Sequence, residues 1–191
     1  MTALTTAVVD QPDTCIATIW TIGHSTRALD VFLGLLAQAG IEAVADVRRF
    51  PNSRRQTQYG SEALQAALAE HEIAYLWLPD LGGRRPARPD SPNIAWRNAS
   101  FRGYADYMES AAFASGMAEL SQFRARQRTT LMCAEVLWWR CHRALIADVL
   151  RQRGVEVLHI LDDKHTTVHP YTSAASIIDG QLSYRLSQVE R

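Results

Sequence analysis

Lysine is almost missing from this chain: of its 20 basic residues only Lys164 is a lysine, and the other 19 are arginines. A GC-rich coding sequence accounts for such a bias by itself, and arginine excess alone is not a site. The planar guanidinium fork nevertheless suits two-point contacts to carboxylate or phosphate, which an ammonium does not. Long apolar runs are missing too. No stretch approaches the roughly 20 apolar residues of a membrane span, so a spanning helix is excluded and no membrane partner is expected. Residues 1–15 have neither a positive start nor a long apolar core, so a signal peptide is not expected and a cytoplasmic protein is. Cysteine is scarce: Cys15, Cys133 and Cys141. An odd count without a secretory signal argues against a disulfide framework and for reduced thiols, with Cys15 incidental near the tail. Net charge is absent at a formal +0, so nothing in the total drives non-specific attraction to nucleic acid or membrane. There is no P-loop, no G-x-G-x-x-G and no G-x-S-x-G.

With 191 residues, 47% hydrophobic and 21% charged, the chain has the balance of one globular domain with a substantial core. A flexible tail over 1–15 and a single domain over 16–191 are expected. The apolar stretch Thr14–Ile22 reads as a strand broken by Gly23-His24-Ser25-Thr26. Ser25 or Thr26 then caps a helix whose face is Leu29, Phe32, Leu33 and Leu36, stopping at Gly40. Ala43–Val47 is a second strand, with Asp46 and Arg48 on one side of it, followed by a loop carrying Ser53, Arg54 and Arg55. Ser61 is a plausible cap for a helix through Glu70, and Ile73–Leu78 a third strand. Pro79–Ser100 holds four prolines and the Gly82-Gly83-Arg84-Arg85 turn, long enough for either a binding loop or a disordered one. A helical region from Phe101 to about Arg126 breaks near Ser110. Thr129–Cys133 is the fourth strand, His142–Arg153 a helix ended by Gly154, and Val155–Leu161 the fifth strand. Ile177–Leu182 reads as a small hairpin on an Asp-Gly turn.

Alternation of this kind predicts the α/β class: three layers, a mostly parallel sheet of about five strands flanked by helices, and a small C-terminal hairpin. His24 and Ser25, Asp46 and Arg48, and Cys133 and Glu135 each close a strand. They therefore gather at the carboxyl edge of the sheet, where such folds bind ligands. Arg48–Arg102 contains nine arginines against five acids, so the surroundings are locally basic.

Several ordered motifs carry a resemblance: Thr21-Ile22-Gly23-His24-Ser25, Asp46-Val47-Arg48 with Pro51 and Ser53, Leu81-Gly82-Gly83, Tyr104-Ala105-Asp106-Tyr107-Met108, Met132-Cys133-Ala134-Glu135, Cys141-His142-Arg143, and His169 with Thr172. Together, over about residues 16–185, they resemble domain-of-unknown-function family 488 (DUF488). The resemblance implies a compact α/β domain and brings no settled activity. Asp46-Val47-Arg48 also resembles the aspartate–arginine strand of rhodaneses, but no cysteine here opens a compact loop of small residues. Nor does the phosphatase pattern fit, since Arg140 lies seven positions after Cys133 across bulky residues.

The richest stretch runs from Leu131 to Arg143. Cys133 and Glu135 on a strand would offer a thiol and a carboxylate to one ligand; the alternatives are a cysteine packed in the core and a Glu135 paired with Arg48 or Arg143. Cys141 and His142 stand at a helix start, where the dipole lowers a thiol pKa. Adjacent helical residues do not face each other, which makes His24, from across the sheet edge, the better-placed base. Cys141 as packing under Trp138-Trp139 is the rival reading. A metal reading takes Cys133, Cys141, His142 and His24 as ligands, although the C-x7-C-H spacing lacks the paired C-x2-C of common zinc modules.

These readings lead to an enzyme at the carboxyl edge acting on a small anionic or phosphorylated ligand, such as a nucleotide or a nucleic-acid end. His24, Asp46, Cys133 and Glu135 are its candidate catalytic groups, with Cys133 the nucleophile of any covalent step. Ser25, Arg48, Ser53, Arg54, Arg102, Tyr104, Cys141, His142 and Arg143 are its candidate binding groups. The competing classes are a non-catalytic nucleotide or nucleic-acid binding module, and a thiol-redox or metal protein built on Cys133 and Cys141. Cofactor and oligomeric state are not legible.

Overall fold

In the computed structural model, residues 18–52 and 55–186 are described. β1 (Thr18–Gly23) turns at His24–Thr26 into α1 (Leu29–Gln38), which buries Phe32, Leu35 and Leu36. Neither Ser25 nor Thr26 caps that helix: the cap position is Ala28, with no side-chain bond. Ser25 is used for the turn itself, in the left-handed region at φ 45°. β2 (Ala43–Asp46) follows, then α2 (Ser61–Ala69) and β3 (Ala74–Trp77). Ser61 is the first residue of α2 rather than its cap. Asn52, nine residues back, accepts from its N–H at 3.4 Å instead.

The stretch after β3 is irregular but tied down. A 3₁₀ turn, Pro79–Leu81, opens it, and the buried Asp106 carboxylate gathers its middle, accepting from Arg88 N–H, the Ser91 hydroxyl and the Asn93 amide at 2.9, 2.6 and 2.8 Å. α3 (Ala99–Tyr107) starts two residues earlier than the pattern suggests because Asn98 caps it. Ser110 caps α4 (Ala111–Phe123) through Phe113 N–H, which is the physical cause of the break between the two helices. β4 (Thr129–Cys133), α5 (Arg143–Gln152) and β5 (Glu156–Ile160) complete the parallel part. β6 (Thr166–Val168) is a sixth strand, antiparallel on the β5 edge; three exposed residues carry no alternation from which to predict it. β7 (Ser176–Ile178) and β8 (Gln181–Ser183) form the expected hairpin, with Asp179 and Gly180 both left-handed at φ 50° and 75°, as a type I′ turn demands. Among the described residues no helix is long and apolar enough to cross a membrane.

The strand order is β3-β2-β4-β1-β5-β6, and the fold is α/β with helices on both faces of the sheet. Phe32, Leu36, Leu64 and Leu68 of α1 and α2 pack on Val44, Met132 and Ile160. Tyr104, Met117, Leu120, Leu145 and Ile146 of α3, α4 and α5 pack on Ala45, Leu131 and Val157. Each such buried aliphatic contributes roughly 1.5–3 kcal/mol relative to exposure, and alternation along each strand sends neighbours to opposite cores. This arrangement places the site. β4 lies between β2 and β1, whose chains leave toward α2 and α1 on one face, while its own chain leaves toward α5 on the other. Diverging connections leave a crevice at their carboxyl ends.

Candidate functional site

A cleft of about 690 Å³ opens at that crevice. Two clusters meet on its floor, one from each face of the sheet. The first is built on Asp46, which points to the α1–α2 face and is fully buried. Its carboxylate accepts Arg48 Nε and Nη2 at 2.8 and 2.5 Å and the Tyr75 hydroxyl at 2.8 Å. Arg48 Nη1 donates to the Tyr59 carbonyl at 2.8 Å and to His24 Nε2 at 3.3 Å. A guanidinium only donates, so His24 Nε2 is an acceptor and its Nδ1–H donates to the Ser25 carbonyl at 3.0 Å. The ring stacks on Tyr59 with 4.1 Å between centroids. Burial first, and the Arg48 charge second, lower its pKa to about 4. His24 is thus a neutral, fully engaged histidine, not the base beside a thiol that its place in the sequence suggested.

The second cluster lies on the α5 face. Cys133 ends β4, and Cys141 sits two residues before α5 in extended backbone at φ −129° and ψ 146°. That extended residue overturns the argument from helical spacing, because His142 folds back onto its neighbour and places Nδ1 3.6 Å from Cys141 Sγ. His142 Nε2–H donates to the Val47 carbonyl at 3.0 Å, which turns Nδ1 toward the sulfurs. Arg143 Nε donates to Cys141 Sγ at 3.4 Å. Burial pushes the Cys141 thiol up, but the Cys133 S–H, His142 and Arg143 outweigh it and hold the pKa well below the ordinary thiol value. Cys133 is driven the other way, first by its hydrogen bond to Cys141 and then by burial. The two sulfurs are pushed in opposite directions, Cys141 toward the thiolate and Cys133 toward the thiol. Cys133 Sγ, Cys141 Sγ and His142 Nδ1 all lie within 4.8 Å of one another, a spacing that could hold a metal ion; His24 is not in the group.

Arg143 is buried to 1% exposure and does not face a ligand. It donates to Thr21 Oγ1 at 3.2 Å and to the Glu135 and Val136 carbonyls. Behind it runs a one-way chain of donors. Thr21 meets His159 Nδ1 at 2.7 Å, His159 Nε2 meets His169 Nδ1 at 2.9 Å, and His169 Nε2 meets Asp148 at 3.0 Å. Asp148 also accepts from Thr172 N–H, the Thr172 hydroxyl and the Tyr184 hydroxyl. Trp138 covers the chain, stacked on His159 at 4.4 Å. Sequence reasoning missed this network, since its members are scattered from Thr21 to Tyr184, with Thr21, His169 and Thr172 singled out only as parts of separate motifs.

Of the other expected site residues, Glu135 lies beyond the strand and is exposed. Its backbone carbonyl, not its carboxylate, meets Arg143, so neither suggested ion pair forms. Arg102 turns away, donating to the Trp96 carbonyl at 3.0 Å, and is not among the cleft residues. Tyr104 donates to the Leu81 carbonyl at 2.7 Å and packs its ring against His142. Ser25 lines the cleft; Ser53 and Arg54, like Cys15 and the strand start at Thr14–Ala17, lie outside the described residues. Among the described residues the walls instead carry Arg49, Arg55, Arg84 and Arg140, with Glu135 as the one acid. Arg84 adopts φ 58°. Like Ser25 it is a non-glycine in the left-handed region, a conformation concentrated at functional sites.

No curated protein and no solved structure matches the chain. The sequence profile described as Domain of unknown function DUF488 matches residues 28–150. That span begins after His24 and ends before His169, yet takes in β2, the arginine walls, Cys133 and the Cys141-His142-Arg143 corner. On that match the chain belongs to the DUF488 family.

Proposed function

We propose that the cleft is the active site of an enzyme acting on an anionic, phosphate-bearing substrate. The observation that carries this reading is the meeting, in one cavity, of four wall arginines and, among the described residues, one acid with a buried sulfur–imidazole cluster on the floor. A cysteine whose pKa is lowered beside an imidazole and a guanidinium is the environment of reactive thiols, and the left-handed backbone at Ser25 and Arg84 flanks the same space. Guanidinium forks on the walls supply two-point contacts to phosphate oxygens, and the floor supplies the reactive group.

The non-catalytic binding module would use the same arginines and has no need of the floor. Thermal shift and calorimetry with pyrophosphate, adenosine 5′-monophosphate and a 5′-phosphorylated oligonucleotide test the reading. We expect a raised Tm with phosphorylated ligands. Arg84→Ala and Arg140→Ala should each cost about 1.5–3 kcal/mol of binding, as lost charged hydrogen bonds do. Turnover of a phosphomonoester and phosphodiester panel that vanishes in Cys141→Ser separates enzyme from binder. If no phosphorylated ligand shifts Tm at millimolar concentration, the anionic-substrate reading fails.

A further inference from the structure

One of the three donor–donor distances on the cleft floor matches an edge of a zinc tetrahedron, and the other two lie within 4.8 Å. Ligand distances of about 2.3 Å to sulfur and about 2.0–2.1 Å to nitrogen, at a tetrahedral angle, put sulfur and nitrogen about 3.6 Å apart and two sulfurs about 3.8 Å apart. Cys141 Sγ and His142 Nδ1 stand 3.6 Å apart, and Cys133 Sγ falls within 4.8 Å of both. We infer that Cys133, Cys141 and His142 bind a thiophilic divalent metal ion of the zinc class, with its fourth position open to the arginine-walled cleft.

The surroundings are those that metal-ligating side chains need. A ligating imidazole commonly gives its other N–H to a carbonyl or carboxylate, which fixes the tautomer and the ring. His142 does so, donating from Nε2 to the Val47 carbonyl at 3.0 Å. Arg143 Nε, 3.4 Å from Cys141 Sγ, supplies an N–H to the sulfur from outside. Space at the third donor is kept by Gly83, where a Cβ would stand 2.7 Å from His142 Nδ1. All three ligands line the cleft, so the open position faces the substrate space. Three protein ligands with one open position is the catalytic pattern of zinc rather than the closed structural one.

Charge counting favours the same arrangement. Two thiolates and a divalent ion sum to zero, and the buried Arg143 leaves one positive charge at the floor, which suits an anion at the open position. The use of the ion as a Lewis acid toward a phosphate-bearing substrate rests on the reading of the cleft given above. Its binding does not.

The test uses the full chain, reduced and freed of metal by chelation, titrated with Co(II) and then Zn(II). One Co(II) per chain with thiolate-to-cobalt charge-transfer absorption, displaced by zinc, is expected. Cys133→Ser and Cys141→Ser should each lose at least about 100-fold in affinity, more than an outer-shell change causes. Arg84→Ala and Arg140→Ala should keep both stoichiometry and spectrum. In the unmutated chain, zinc should protect Cys133 and Cys141 from alkylation while leaving Cys15 unprotected, read by peptide mass spectrometry; this needs no variant to fold. Absence of the sulfur-to-cobalt band, or zinc that protects neither cysteine, overturns the inference. Metal bound by a chain that ignores every phosphorylated ligand would instead sink the reading of the cleft and leave the metal site standing.

Discussion

At the scale of single residues, two positions decide the floor of the cleft. Gly83 is there because nothing larger fits: an added Cβ would meet His142 Nδ1 at 2.7 Å. Gly83→Ala should cost about 1–3 kcal/mol, the usual penalty of overpacking, and weaken Co(II) binding. Gly34, on the outer side of α1 with nothing within 4 Å of its Cβ, is the control. Gly34→Ala should stabilise by about 0.5–1 kcal/mol, both effects read from guanidinium unfolding midpoints. The second position is Cys141, whose thiol pKa is lowered while that of Cys133 is raised. In the reduced, metal-free chain, iodoacetamide at pH 6 should modify Cys141 well ahead of Cys133. Equal labelling of the two, or faster labelling of Cys133, would refute that assignment. None of this polarity is visible in the C-x7-C-H spacing, because it depends on Arg143 and His142 hydrogen-bonding to Cys141 rather than to Cys133.

At the scale of elements, α5 is anchored through Arg143 and the Asp148–His169–His159–Thr21 chain, which ties its first and second turns to β1, β5 and the segment after β6. The chain works only while His159 is neutral, since its Nδ1 accepts from the Thr21 hydroxyl. Burial first, then His169 and Arg143, lower His159 to about 2, and His24 lies at about 4. Both folded values are below the unfolded one, near 6.5. Their contribution to stability is therefore complete above about pH 6.5 and is lost as pH falls, since the unfolded chain takes up protons that the folded chain refuses. Each adds a slope of about 1.4 kcal/mol per pH unit below that point. Unfolding midpoints at pH 7.5, 6 and 5 measure it; a flat profile would contradict neutral buried histidines, and His159→Gln should remove one of the two slopes. Asp148→Ala strands donors from His169, Thr172 and Tyr184 and should cost about 3 kcal/mol or more. The stretch between β3 and α3 is held by Asp106 in the same manner. Asp106→Ala should make residues 84–98 the first site of proteolytic nicking, and unchanged digestion would mean that the loop is held elsewhere.

At the scale of the whole molecule, the cleft exists because β4 is inserted between β2 and β1 and its connection leaves on the opposite face. Much of this was legible in the chain. Strand and helix alternation, the breaks at Ser110 and Gly154, the Asp-Gly hairpin and the α/β class follow from local periodicity and turn chemistry, which act over a few residues. The convergence of His24, Asp46, Arg48 and Cys133 on one sheet edge followed from those elements, since every parallel strand ends on the same side. What local rules could not supply was which side chains touch. Alternation along a strand divides neighbours between two cores, so His24 joined Arg48 and Tyr59 rather than the thiols, and Arg102 turned away from the cleft. Cys141 met His142 because one extended residue interrupts the helix start. The sequence by itself determined the elements, their order and the edge where reactive residues collect, because those depend on neighbours in the chain. Only the tertiary structure decided the pairings, from the sulfur–imidazole contact of Cys141 and His142 to the buried histidine chain behind Arg143. Those arise between residues up to 138 positions apart, where burial and charge act through space and not along the backbone.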